Sequence, residues 1–84
     1  MHENRPQQVR EANERLAREA ERLHFMARVP MLCECSDTGC DELFLMSLFD
    51  FRSAQDVFVT APGHRIQNAR PVRQEREFWL QRCA

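Results

Sequence analysis

The chain has no lysine, no tyrosine, only two glycines and no long apolar run. Each shortage excludes something. A membrane-spanning helix needs roughly 20 consecutive apolar residues, and the densest apolar region, Leu43 to Phe51, is broken by Ser47 and Asp50. Gly39 and Gly63 alone cannot build a glycine-rich phosphate loop. No serine stands beside a histidine or in the Gly-x-Ser-x-Gly turn of an activated nucleophile, so the sequence is not read as that of an enzyme. The opening Met-His-Glu-Asn-Arg-Pro is polar, unlike an export signal, and the expectation is a cytoplasmic chain with reduced thiols.

Charge is balanced: 12 basic side chains, all arginine, stand against 13 acidic ones for a net charge of −1. They are interleaved, so no strong field draws in polyanions, and nucleic acid is not the favoured partner. An all-arginine surface does suit bidentate pairing with carboxylates. Eighty-four residues make one domain near the lower limit of what a hydrophobic core stabilises unaided, so a staple is expected.

Residues 1–5 are expected to be disordered. From 6 to 28 the pattern is helical, with Val9, Ala12, Leu16, Ala20, Leu23 and Ala27 forming one stripe and Pro6 suited to the first turn. Glu11 with Arg15 and Glu14 with Arg18 have the spacing of stabilising pairs. The stripe packs on the rest of the domain or on the same stripe of another copy. Residues 29–84 form an αβ body in one domain with that helix. Met31 to Cys35 and Glu42 to Met46 read as strands around the turn Ser36-Asp37-Thr38-Gly39, and Ser47 with Asp50 signals the cap of a short helix through about Ala54. Val57 to Thr60 suggests a further strand. Val72 to Gln74 and Phe78 to Gln81 read as a terminal hairpin, in competition with a helix over Arg73 to Arg82. The fold class predicted is α+β: a long N-terminal amphipathic helix, then a small, mostly antiparallel sheet with one short helix, stapled by zinc.

The staple is read from Cys33-x-Cys35-x4-Cys40 and His64. Residues two apart on an extended segment face the same way, so Cys33 and Cys35 aim at one point, and the Gly39 turn swings Cys40 back toward it. Structural zinc takes four tetrahedral ligands. His64, presented by the Pro62-Gly63 turn, is the choice for the fourth, with Cys83 as its substitute. Three thiolates and an imidazole around Zn²⁺ carry a local charge near −1, for turn N–H groups and Arg65 to offset. Metal-free cysteines are the competing reading; a Cys33–Cys35 disulfide is disfavoured because the two are too close. Asp37 is assigned to an Asx turn and His24 to the surface or an interface, and Phe25, Phe44, Phe49, Phe51, Phe58, Phe78 and Trp79 to the core or an exposed patch.

The combination of Asn13-Glu14-Arg15, Cys33-Glu34-Cys35, Asp37, Cys40 and Pro62-Gly63-His64 resembles a family of small, uncharacterised actinobacterial proteins with a leading helix, a Cys-Glu-Cys-Gly-Asp segment and a Val-x-Pro-Gly-His element. The resemblance implies that the three cysteines and the histidine belong to one pattern, and implies no activity. Ser36 stands where that pattern has glycine and Arg65 where an acidic residue often follows the histidine. The function expected is a small zinc-stabilised protein-interaction or regulatory module, engaging a protein partner or a second copy through the helix or an aromatic patch. The alternatives are a nucleic-acid-binding transcriptional regulator and a redox-responsive zinc-thiolate switch.

Overall fold

A computed structural model describes residues 5–25 and 27–83. Helix α1 (Arg5–Arg22) is followed by strands β1 (Val29–Leu32) and β2 (Leu43–Met46), helix α2 (Leu48–Ser53), and strands β3 (Phe58–Thr60), β4 (Ala69–Gln74) and β5 (Trp79–Cys83). The strands form two antiparallel sheets, β1-β2 and β3-β5-β4. The α+β class, the leading helix, the short second helix and the terminal hairpin are as the sequence indicates. Of the residues expected to be disordered, 1–4 lie outside the described residues and Arg5 is already helical.

Helix α1 ends at Arg22, before the predicted Arg28. His24 takes the left-handed conformation (φ 56), His24 N–H donates to Glu21 O and Phe25 N–H to Ala20 O. Those paired bonds close a helix end that glycine usually makes, and a histidine there gave no warning. The buried residues of α1 are Asn13, Ala17 and Ala20; of the predicted stripe Ala20 is buried, Val9 and Ala12 are half-buried, and Leu16 and Leu23 are exposed. The expected Glu14–Arg18 pair gives way to ion pairs from Glu14 to Arg10 (3.5 Å) and to Arg52 on α2 (2.7 Å).

The β1-β2 hairpin turns Met31, Phe44 and Met46 inward and leaves Pro30, Leu43 and Leu45 outside. Ser47 caps α2 as predicted, its hydroxyl accepting from Asp50 N–H at 3.0 Å. The core joins Ala17 and Ala20 to Met31, Met46, Phe51, Val59, Phe78 and Leu80, with Phe44 and Phe78 stacked between the two sheets. Of the other aromatics, Phe25 and Phe49 are exposed. Among the described residues no helix is long and apolar enough to cross a membrane.

Candidate metal centre

Three segments converge where β1 leaves its sheet. Cys33 and Cys35 follow β1, Cys40 ends the loop returning to β2, and His64 follows β3. The donor atoms of Cys33, Cys35, Cys40 and His64 all lie within 4.8 Å of one another, with Cys33 and Cys35 buried and the other two half-buried. A tetrahedral centre with the usual zinc bond lengths spaces sulfurs roughly 3.8 Å apart and a sulfur and an imidazole nitrogen roughly 3.6 Å apart. Cys40 Sγ and His64 Nδ1 are 3.5 Å apart, which fits. These four residues are positioned to bind a metal ion. Cys83 is exposed at the end of β5 and takes no part, so the histidine, not its substitute, completes the set.

Local geometry explains the convergence. Asp37 Oδ1 accepts from Gly39 N–H (2.9 Å) and Asp37 O from Cys40 N–H (3.0 Å), an Asx-type turn that brings Cys40 back. Pro62-Gly63 makes the second turn, where Gly63 takes φ 82 and His64 N–H donates to Ala61 O. Glycine suits that left-handed position. Ser36 N–H donates to Arg65 O and Gln67 N–H to Ser36 Oγ, lacing the cysteine loop to the histidine loop.

The main-chain N–H two residues after each cysteine (Cys35 for Cys33, Asp37 for Cys35, Glu42 for Cys40) acts to lower its thiol pKa. Ala61 N–H adds a bond to Cys33 Sγ at 3.2 Å. Such donors stabilise thiolate and ready it for a cation. Burial pushes the Cys33 thiol up to about 12 despite them, and raises Cys40 as well. Cys35 is also pushed up by burial, but hydrogen bonds from His64, Asp37 and Cys40 outweigh it and hold the thiol below its ordinary value.

The sequence missed what surrounds these ligands. Arg65 turns away to Ala69 O, and Arg5 takes the role assigned to it: its guanidinium donates to the carbonyls of Cys33 (3.2 Å), Cys35 and Cys40 (2.9 Å), with Cys35 Sγ 3.9 Å away. Glu34, between two ligands, is wholly buried. Its carboxylate accepts from Asn13 Nδ2 (2.8 Å) and Val59 N–H (2.8 Å) and lies 3.6 Å from Arg10 Nη1. Burial pushes its carboxyl up to about 7 against those three partners. Buried Gln81 holds the histidine loop, donating to His64 O (2.6 Å) and Thr60 Oγ1 and accepting from Ile66 N–H. The available signals were Asn13, a poor helix former in mid-helix, and a glutamate between two cysteines.

No family model, no curated protein and no solved structure matches the chain, so the meaning of the site rests on its geometry.

Proposed function

We propose that the chain is a zinc-stabilised interaction module, in which one Zn²⁺ held by Cys33, Cys35, Cys40 and His64 fixes the fold and the exposed apolar surface meets another protein. The observation that carries this reading is the gathering of four donors within 4.8 Å from three separate segments. Thiolate-rich tetrahedral sets favour zinc, and four protein ligands leave no open position for water, so the ion's role is structural rather than hydrolytic. A cation there ties the β1-β2 hairpin to the β3-β5-β4 sheet, and its binding free energy becomes folding free energy. The interaction role is supported by exposed Leu16, Leu23, Phe25, Leu43, Leu45 and Phe49, large apolar side chains left at the surface of a small domain.

Elemental analysis of protein purified without added metal tests the reading. The expected result is one zinc per chain, absent in Cys35→Ser and weakened in His64→Ala. A wild-type chain that folds without metal and ignores a chelator overturns it.

A further inference from the structure

We infer that the free edge of β2 is the docking edge for a second copy of this chain, the two β2 strands running antiparallel about a two-fold axis at Phe44. The inference deepens, and rests on, the proposed reading of the chain as an interaction module. It starts from how the four free strand edges are treated, since an unpaired edge is a template for another strand unless something blocks it.

Three edges are blocked. On β1, Asn13 donates to Leu32 O (2.9 Å) and accepts from Leu32 N–H (2.8 Å), just as a neighbouring strand would, and Pro30 offers no N–H. On β3, Val59 O accepts from Glu34 N–H (2.9 Å) and Val59 N–H donates to Glu34 Oε1 (2.8 Å). On β4 the edge carries Arg70, Pro71, Arg73 and a break in register between Pro71 and Arg73. The fourth edge, on β2, has none of these devices: its sequence is Leu43-Phe44-Leu45-Met46, and among the described strands only β1 is hydrogen-bonded to it.

Ladder alternation shows which groups that edge offers. Cys33 N–H donates to Glu42 O, and Leu32, opposite Leu43, spends its own N–H and C=O on Asn13. Phe44 and Met46 therefore bond to β1, while Leu43 and Leu45 direct their N–H and C=O groups outward. Their side chains are 58% and 46% exposed.

A second β2 fits this edge. With Phe44 on the axis, Leu43 of each copy lies opposite Leu45 of the other in a bonded pair, and the hairpins merge into one four-stranded sheet β1-β2-β2-β1. Charge selects this direction. Asp41 and Glu42 precede β2 with no ion-pair partner among the described residues. Antiparallel pairing sets them against the uncharged Met46-Ser47 end of the other copy, flanked by Arg28, which meets Glu77. Parallel pairing would stack them on their own duplicates. The edge is short compared with the roughly 800 Å² per partner of a standard interface, so the dimer is weak and concentration-dependent.

The test is sedimentation across a concentration series of zinc-loaded protein, with amide exchange followed by NMR. The expected mass rises toward twice the 10.0 kDa of the chain. Leu43 and Leu45 amides become protected as it rises, whereas Phe44 and Met46 are protected throughout. Leu45→Pro removes one outward N–H without touching the bonds to β1, and Leu43→Lys keeps every main-chain group while charging the edge; each raises the dimer dissociation constant about tenfold or more. A chain that stays at 10.0 kDa at every concentration, Leu43 and Leu45 amides whose exchange ignores concentration, or a dimer indifferent to both substitutions overturns the inference. Zinc content of the same samples separates the two readings: one zinc per monomeric chain defeats only the edge, and a zinc-free edge dimer defeats only the metal.

Discussion

Helix α1 presents two flanks of opposite character. One, with Arg10 and Asn13, is polar by sequence and tied into the molecule: Arg10 reaches Val57 O and Ala54 O and lies over the Phe51 ring, and Asn13 binds Leu32 and Glu34, while Arg5 holds the cysteine loop from the first turn of the helix. The other, with Leu16 and Leu23, is apolar by sequence and exposed, opening with Phe25 and Pro30 onto a shallow apolar groove. The contrast follows from where unpaired main-chain groups lie. A metal loop cannot hydrogen-bond to itself as a sheet does, and buried carbonyls and N–H groups left alone cost free energy. The helix therefore turns toward the loop the side chains that can satisfy those groups, with Ala17 and Ala20 buried beneath it as apolar cushion.

The largest effect separates the ion from everything else. With the proposed zinc in place, a chelator removes a contribution on the order of 10 kcal/mol, more than a domain of this size holds in reserve. The expected outcome is loss of the cooperative thermal transition and of the far-UV signal of both sheets, restored by added zinc. Next comes Asn13→Ala, which strands the Leu32 N–H and C=O and takes a donor from the buried Glu34 carboxylate. The cost is about 3 kcal/mol with zinc still bound, read from the urea midpoint of the metal-loaded protein. A cost under about 1 kcal/mol would place the holding force of α1 on its apolar side after all.

How much of this the sequence disclosed follows the same division. Cys33, Cys35, Cys40 and His64 were legible because ligand chemistry is carried by few residue types and local geometry limits where their side chains aim. The Ser47 cap and the hairpin of β4 with β5 were legible because each is set by neighbours in the chain. The face of α1 was not. Periodicity weighs apolar side chains and is blind to a guanidinium meeting three carbonyls 28 to 35 residues away. The helix end was hidden for a different reason, since His24 occupies a position where glycine would have announced the stop. Glu34 escaped as well, because a carboxylate between two ligands reads as a solvated loop residue until Asn13, Arg10 and Val59 are seen to enclose it.

Arg5→Ala ranks below Asn13→Ala because its guanidinium is half-buried and water can replace part of what it gives. The expected loss is about 1.5–3 kcal/mol, the range for hydrogen bonds to a charged group. It should appear as faster zinc release to a competing chelator, since the carbonyls it gathers belong to the three cysteines themselves. An unchanged release rate would make Arg5 a surface ornament.

The smallest effect lies on the opposite flank. Leu23 follows the last turn of α1 and is 60% exposed, so Leu23→Ser removes little buried surface and leaves no polar group stranded. The urea midpoint of the zinc-loaded protein is expected to shift by no more than about 0.5 kcal/mol equivalent. The comparison with Asn13→Ala is the sharper measurement, because one substitution empties the buried polar side of the helix and the other acts on its exposed apolar side. Equal costs would mean that α1 is gripped from both sides, and the asymmetry between its buried polar side and its exposed leucines would be gone.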